Sequence, residues 1–260
     1  MLTKFIIDEI VDRALAEDLS GEDLTTMATV SAETRARATA LAKSELVVCG
    51  GGVFKRVFKR PANDLSFEVC ERDGKLVQPG TPIWRVDGAA RPILMGERTA
   101  LNLVQRMSGT ATMAHAYTAA VPKGAKTRIV DTRKTTPGLR ALERYAVRCG
   151  GAYNHRDTLG SAVLIKDNHI EAAGSISEAV RRAKDYAPHT TKIEIEVESL
   201  EGLEEALNAG ADIVMLDNFA PDAIATAVSR AAGRALIEVS GGITLPRIAE
   251  LASQGVDVIS

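Results

Sequence analysis

Charged and polar residues follow one short apolar run after another in the second half of this 260-residue sequence. A charge at the end of a buried strand must meet solvent, an opposite charge or a ligand, because burying it alone costs free energy. One such position is usually a salt bridge, but repetition at five run ends predicts a functional site. The positions that end or directly follow these runs are Thr132, Arg133, Lys134, Lys166, Asp167, Glu196, Asp217, Ser240, Gly241 and Gly242.

The cations in this set indicate an anionic ligand. Arg133, Lys134 and Lys166 are joined by Arg156, which stands in the segment before the second run. Arginine binds carboxylate or phosphate through two parallel hydrogen bonds, whereas lysine supplies a point charge. The stretch SGGIT at 240–244 places a glycine turn before a helix, which suits a phosphate nest, although it is equally consistent with a plain turn.

Two acids stand at the ends of neighbouring runs. Glu196 and Asp217 are suited to hold Mg²⁺, directly or through water, or to bind ribose hydroxyls. The alternative is that they pair with the lysines. Together with the cations, they predict a phosphorylated sugar with several negative charges, a divalent metal and a second anion held by the arginines.

Alternating elements must position these residues. Strand-like runs and helical segments alternate from residue 126 onwards, and Ser175 and Ser199 are candidate N-caps. This alternation predicts right-handed βαβ units and a parallel sheet, with the site at the carboxyl ends of the strands. The predicted strands are 127–131, 162–167, 193–197, 212–217, 235–240 and 257–260, and the predicted helices are 138–149, 175–186, 199–209, 221–232 and 245–254.

The first half shows a different pattern of predicted secondary structure. An amphipathic helix is predicted near the N-terminus, short strands with turn signals over 30–95, and a long helix over 97–120. These features predict a small α+β domain. The pattern DGxxVxxGTxIxxV resembles half of a lipoyl- or biotin-type sandwich, but no lysine sits at a hairpin tip, which disfavours a carrier role.

Composition excludes several functional classes. A net charge of −2 and 4% aromatic residues give no support to nucleic-acid or membrane-surface binding. Three widely spaced cysteines fit neither a disulfide framework nor a CxxC metal site. No apolar run is long enough for a membrane span, and the N-terminus does not read as a signal peptide. A cytoplasmic location is therefore expected.

Several segments, in this order, resemble the quinolinate phosphoribosyltransferases, also called carboxylating nicotinate-nucleotide pyrophosphorylases. They are ERTALNLVQRMSGTAT, VDTRKTTPGLR, NHRDTLGSAVLIKDNHI, IEIEVESLEGLEEALNAGADIVMLDNF and IEVSGGI. The resemblance implies that quinolinate and phosphoribosyl pyrophosphate give nicotinate mononucleotide, pyrophosphate and CO₂, with Mg²⁺, in NAD biosynthesis. It also implies an N-terminal α+β sandwich over residues 1–110 with its connecting helix, and an incomplete α/β barrel of about seven parallel strands over 111–260, in a homodimer.

The resemblance further implies roles for individual residues. Quinolinate carries two adjacent carboxylates, and Arg98 is the arginine that reaches in from the partner subunit. Glu196 and Asp217 match the acids near the ribose and the metal. The residues implied to line the quinolinate pocket are Arg133, His155 and Arg156, with Lys134 and Lys166 nearby, and those of the phosphate turn are Ser240, Gly241 and Gly242. Thr132 is also implied to bind substrate, and Lys134, Lys166, Glu196 and Asp217 are the implied catalytic residues.

The sequence departs from the family pattern at three places. The segment EDLSGEDLTT has a rearranged spacing in the N-terminal loop, and Asp157, Thr158 and Leu159 replace a Met-Gly-Leu pattern. The family continues beyond its last strand, whereas this sequence stops at Ser260, so we expect the barrel to be cut short at the phosphate end.

Three alternatives come from other functional classes. One is a relative associated with molybdenum-transport operons, against which the complete IKDNH and HR signatures argue. A second is a binding barrel that retains the anion pocket without turnover. A third is a triad hydrolase or a metal-ligand enzyme. No GxSxG or HExxH occurs, the four histidines are scattered, and His169 is expected to make a structural hydrogen bond.

Overall fold

The computed structural model of the protein describes residues 2–62 and 64–260. Contacts divide the chain into two compact units. The first comprises Met1–His115 and Thr135–Gly151, and the second comprises Ala116–Lys134 and Ala152–Ser260. The division near residue 110 expected from the sequence stays a prediction about folding domains.

The first unit combines helices with antiparallel sheets. A three-stranded sheet has the order β1-β5-β3, and β2 pairs with β4. The predicted α+β class is therefore confirmed. The elements are α1 (Lys4–Asp18), α2 (Leu24–Thr29), β1 (Arg35–Leu41), β2 (Leu46–Val47), α3 (Gly51–Lys59), β3 (Ser66–Val69), β4 (Leu76–Val77), β5 (Pro82–Ala89), α4 (Ala90–Ala119) and α5 (Arg140–Cys149).

Helix α3 lies where the sequence interpretation expected only strands and turns. Its apolar residues Val53, Phe54, Val57 and Phe58 are all buried, so they form one helical face. The ring of Phe54 stacks on that of Trp84 with centroids 4.9 Å apart. Tertiary burial of this face therefore outweighs the weak local helix preference of its glycine and β-branched residues.

The second unit contains six parallel strands in its described residues, in the order β6-β11-β10-β9-β8-β7. The first strand of this unit, β6, thus pairs with its last, β11, as in a barrel, and Val130 forms an isolated parallel bridge with Tyr153. The elements are β6 (Arg128–Ile129), β7 (Val163–Ile165), α6 (Asp167–Ala173), α7 (Ile176–Tyr186), β8 (Ile193–Val197), α8 (Leu200–Asn208), β9 (Ile213–Asp217), α9 (Pro221–Ala231), β10 (Leu236–Ser240), α10 (Ile248–Ser253) and β11 (Val258–Ile259).

Local signals place most helices of the second unit. The predicted N-caps are confirmed, because the Ser175 side chain accepts from the Glu178 amide and the Ser199 side chain accepts from the Gly202 amide. Helix α6 was not predicted, since the sequence interpretation carried the second strand through residue 167. A 3₁₀ turn, Leu245–Arg247, precedes α10. No helix in the described part of the chain is long and apolar enough to cross a membrane.

Two glycines of the first unit provide a matched test of close approach. A Cβ atom on Gly150 would lie 2.3 Å from the carbonyl oxygen of Ala111 and 2.7 Å from Cβ of Ala114, whereas one on Gly109 would meet nothing within 4 Å. We expect Gly150→Ala to lower the free energy of unfolding by about 1–3 kcal/mol. Gly109→Ala, within α4, should raise it by roughly 0.5–1 kcal/mol through helix propensity. Urea denaturation of both variants is the measurement, and equal effects would contradict this assignment.

Candidate active site

A cavity of about 430 Å³ lies in the second unit. The site residues predicted from the sequence line it, except Arg98, Asp167 and Gly242. The lining also contains residues that the sequence interpretation had not selected: Asp131, Leu164, Met215, Glu238 and Ser260. The complete lining from the predicted set is Thr132, Arg133, Lys134, His155, Arg156, Lys166, Glu196, Asp217, Ser240 and Gly241.

The parallel strands bring these residues to one end of the sheet. Asp217 and Ser240 are the last residues of β9 and β10, and they face each other directly in the strand register. Lys166 directly follows β7, and Glu196 lies near the end of β8. Because all these strands run the same way, their carboxyl ends share one edge, which is where parallel sheets build their sites.

One lysine and two acids form a charged group at this edge. Lys166 Nζ lies 2.7 Å from Glu196 Oε2, so the pairing that the sequence left open is present for this acid. Partial burial, followed by the negative charge of Glu196, raises the pKa of Asp217, and Lys166 opposes that rise. Asp217 Oδ2 accepts a hydrogen bond of 2.9 Å from the Asn218 side-chain amide. Glu196 and Asp217 thus form a carboxylate pair, and Lys166 offsets part of its charge.

The turn after β10 requires glycine at its first position. Gly241 has φ +87°, and a Cβ atom there would lie 2.7 Å from Asn218 Oδ1 and 2.9 Å from Asp217 Oδ1. Gly242 follows with φ +60° and is exposed. Two successive residues in the left-handed region explain why the chain uses the pair of glycines here. Any larger residue at 241 would push directly against the Asp217 carboxylate.

Two buried glutamates were missed by the sequence interpretation. Glu194 and Glu238 are each only 2% exposed, and their carboxylates lie 3.0 Å and 3.6 Å from His155 Nε2. Burial and the charge of Glu194 raise the pKa of Glu238 to about 7. The available signal was the repeated acid inside an apolar strand, in IEIEV and LIEVS. Only the acids nearer to strand ends had been selected.

His155 is held in a defined orientation by its neighbours. The hydrogen bond with Glu194 raises the pKa of His155, and partial burial opposes that rise. Its Nδ1 accepts a hydrogen bond of 2.8 Å from the Arg156 backbone amide, which favours the tautomer with the proton on Nε2. The imidazole therefore directs its Nε2–H towards the buried carboxylates.

Asp131 ties the loop carrying His155 and Arg156 to the end of β6. Its Oδ1 accepts from the His155 backbone amide at 2.7 Å, and its Oδ2 accepts from the Asn154 side chain at 2.6 Å. Arg156 Nη1 donates to the carbonyl oxygen of Ala162 at 3.2 Å. Partial burial, then the charge of Arg133, lowers the pKa of the Arg156 guanidinium. The two arginines are therefore close enough to repel each other, as a shared anion site requires.

Lys134, Arg98 and His169 are the remaining residues with a predicted role, and all three are exposed. The Lys134 backbone amide donates to Thr132 Oγ1 at 3.1 Å, which shapes the turn after β6, and the Lys134 side chain is exposed. Arg98 lies exposed on α4 in the first unit and does not line the cavity. The expectation that Arg98 completes a partner's site stays a prediction. His169 Nδ1 accepts from the Lys166 amide, which confirms a structural hydrogen bond for His169.

An α/β unit with clustered arginines, lysines and acids at the carboxyl ends of its parallel strands defines an anion-binding enzyme class. Two family models match the chain. The model described as quinolinate phosphoribosyl transferase, N-terminal domain, matches residues 23–108, and the corresponding C-terminal domain matches residues 110–260. The chain belongs to the quinolinate phosphoribosyl transferase family.

Individual relatives agree with this assignment over nearly the whole chain. The probable nicotinate-nucleotide pyrophosphorylase [carboxylating] of Synechocystis is 43% identical over 258 residues, covering 98% of this chain and 87% of its own. The human nicotinate-nucleotide pyrophosphorylase [carboxylating] is 39% identical, covering 100% of this chain and 88% of its own. The crystal structure of NadC from Streptococcus pyogenes superposes with a TM-score of 0.95 at 41% identity, and the match covers 100% of this chain and 91% of that one.

The buried Glu238 carboxyl predicts how stability depends on pH. Its pKa is raised from 4.5 when unfolded to about 7 when folded, so the folded state binds its proton more tightly. Stability is then fully present below pH 4.5 and falls as the pH rises through 7. We expect the wild-type free energy of unfolding to fall by about 2–3 kcal/mol more than that of Glu238→Gln between pH 5 and pH 8.

Urea denaturation at the two pH values measures this difference. The exposed Glu201→Gln, at the start of α8, is the matched control and should retain the wild-type dependence. If Glu238→Gln lost as much stability as the wild type over the same interval, the Glu238 carboxyl would not be the group responsible.

Proposed function

We propose that this chain transfers the phosphoribosyl group of phosphoribosyl pyrophosphate to quinolinate, with release of pyrophosphate and CO₂, to form nicotinate mononucleotide for NAD biosynthesis. The observation that carries the proposal is one cavity of about 430 Å³ in which two arginines, two lysines and a histidine stand beside a pair of acids. The family membership and the names of the relatives support the same reaction.

Arg133 and Arg156 would hold the two quinolinate carboxylates. Both line the cavity, and their mutual repulsion would be relieved by a ligand with two negative charges. His155 lies beside them, and Thr132 is at the same rim. Lys134 and Lys166 would add positive charge around the dianion without fixing its orientation. The pocket would therefore select for two adjacent carboxylates rather than one.

The phosphorylated sugar would contact Glu196, Asp217 and the glycine turn after β10. Ser240, Gly241 and Gly242 would offer backbone and hydroxyl groups for its 5′-phosphate, and Glu196 and Asp217, of which Asp217 faces Ser240 in the strand register, would accept from ribose hydroxyls. Mg²⁺ fits the same pair, because carboxylate oxygens suit this ion, and partial burial followed by the charge of Glu196 raises the pKa of Asp217. When bound, the ion would neutralise pyrophosphate charge. Glu196 and Asp217 would hold it, directly or through water.

The residues of the pocket would favour the reaction by orientation and electrostatics. Departure of pyrophosphate from C1 gives an oxocarbenium-like ribose, and the quinolinate nitrogen, positioned by the arginines, attacks C1. The ring then carries a positive nitrogen next to the C2 carboxylate. Loss of CO₂ leaves negative charge on C2, which that nitrogen and the nearby Lys134 and Lys166 would stabilise until a proton is added.

A homodimer with shared sites completes the proposal. Arg98 is exposed on α4 and absent from the cavity lining of its own chain. We assign it to the quinolinate pocket of a partner subunit, where it would add a further cation. Each site would then draw on residues from two chains.

The direct test is to incubate the purified protein with quinolinate, phosphoribosyl pyrophosphate and Mg²⁺. Nicotinate mononucleotide, pyrophosphate and CO₂ should appear in equal amounts, and omission of Mg²⁺ should abolish them. Binding of both substrates without product would instead identify a non-catalytic binding barrel.

Arg133→Lys tests the quinolinate assignment. The substitution retains the charge but removes the planar fork, so quinolinate affinity should fall by roughly 10- to 100-fold, as expected for loss of a charge-assisted hydrogen bond. The affinity for phosphoribosyl pyrophosphate should change little. Calorimetric titration with each substrate measures the two affinities. Arg182→Lys, exposed on α7, is the matched control. Equal losses for both substrates would rule out the assignment.

Subunit mixing tests the shared site. Arg98→Ala and Lys134→Ala chains should each be nearly inactive alone. In a mixed dimer, the Arg98→Ala chain retains its own Lys134 and receives an intact Arg98 from its neighbour. Random exchange makes about half the dimers mixed, so roughly a quarter of all sites should recover activity in a two-fold dimer.

Exchange is confirmed with differently tagged chains before activity is measured. A mixture that exchanges fully but recovers no activity would show that Arg98 acts within its own chain. The reaction itself would remain supported by the wild-type assay.

A further inference from the structure

Two of the three cysteines meet within the first unit. The sulfur atoms of Cys49 and Cys149 and a carboxylate oxygen of Asp73 all lie within 4.8 Å of one another. Cys49 follows β2, and Cys149 is the last residue of α5, so only the fold brings these distant positions together. Neither cysteine lines the cavity to which we assign catalysis.

The two thiols differ in their access to solvent. Cys49 is fully buried, and its backbone amide donates to Ser108 Oγ at 3.1 Å. Cys149 is partly exposed. A Cβ atom added to Gly74 would lie 3.5 Å from the Cys149 carbonyl oxygen, so the chain covers one side of this residue closely. A small reagent therefore reaches Cys149 more readily than Cys49.

Asp73 already has other hydrogen-bond partners. Its two carboxylate oxygens accept from the backbone amides of Gly50 and Gly51, each at 3.0 Å, at the start of α3. The Tyr145 hydroxyl donates to Asp73 Oδ2 at 2.8 Å. These contacts hold the carboxylate at the N-terminus of the helix, where negative charge is stabilised. They favour a structural role for Asp73 and leave the two sulfurs as the reactive pair, rather than a three-ligand metal site.

The contacts also distinguish the roles of the two thiols. The nearby Cys49 thiol, followed by the Tyr145 hydroxyl, lowers the pKa of Cys149, and partial burial and the charge of Asp73 oppose this shift. The hydrogen bond with Cys149 and burial raise the pKa of Cys49. Because the thiolate is the nucleophile, Cys149 is the thiol that reacts with an oxidant. Conversion of the Cys149 thiolate to an uncharged species would remove the charge that opposes ionisation of Cys49.

We propose that Cys49 and Cys149 form a reversible disulfide when the protein meets a hydroperoxide. The Cys149 thiolate attacks the O–O bond of hydrogen peroxide and, with one proton taken up, gives a sulfenic acid and water. Cys49 then attacks the Cys149 sulfur, and its proton leaves with the hydroxyl group as a second water. In sum, two thiols are oxidised to one disulfide and one peroxide is reduced to two waters.

The bond would join the start of α3 to the end of α5. In the chain, α5 stands between the segment that carries Arg133 and Lys134 and the loop that carries His155. Oxidation would therefore fix one end of the element that separates these two groups of proposed site residues. This modification site is independent of the proposed reaction and is tested without an activity measurement.

The test uses the full chain carrying Cys70→Ser, which retains both thiols of the pair. The chelator-treated protein is exposed to hydrogen peroxide, and free thiols are then counted and non-reduced peptides analysed by mass spectrometry. We expect both thiols to be lost together, a Cys49–Cys149 linked peptide that lacks two hydrogens, and full recovery with dithiothreitol. Two free thiols that persist, or links formed only between different chains, would overturn the proposal.

Cys49→Ser in the same background separates the two steps. Without the resolving thiol, Cys149 should accumulate as sulfenic acid, trapped by a 1,3-dione probe at least about tenfold more than in the chain with both thiols. Cys149→Ser should give little adduct at the buried Cys49. Equal trapping with and without Cys49 would show that no resolution occurs and would overturn the proposal.

Discussion

The contact between His155 and the two buried glutamates is the interaction on which the rest of the pocket depends. Glu194 and Glu238 are 2% exposed, and two carboxylates so close together cannot both be charged at low cost. The imidazole of His155 and the raised pKa of Glu238 reduce that cost. In return, the acids fix the ring, because Nε2 faces them while Nδ1 accepts from the Arg156 amide. The orientation of His155 is thereby fixed by the protein itself, without a substrate.

Backbone hydrogen bonds help to position the loop that carries His155 and Arg156. Asp131 binds the backbone of His155 and so brings the arginine loop to the end of β6. Clustered positive charge opposes folding, and the buried acids offset part of it. Partial burial, followed by the positive charge of Arg133, lowers the pKa of Arg156. A pocket with residual positive charge is suited to bind a dianion, since the ligand completes the neutralisation that the protein leaves unfinished.

Much of the architecture could be predicted from local patterns. The alternation of apolar runs and helical segments after residue 126 identified all six parallel strands, and Ser175 and Ser199 mark helix starts as expected. These signals are local, because side-chain periodicity and capping depend on neighbouring residues. Helix α3 was missed because its stability comes from burial of one face against Trp84 and other distant residues. Helix α6 was missed because its sequence directly continues a strand.

The sequence by itself determined which residues carry charge at the strand ends, and these cations indicated an anionic ligand. Its motifs also carried the family resemblance. Tertiary structure alone decided that Glu194 and Glu238 lie together under His155, that Lys166 pairs with Glu196, and that Cys49 meets Cys149. The physical reason is that burial, charge coupling and thiol proximity depend on distances between segments far apart in the chain. Periodicity and residue type do not determine those distances.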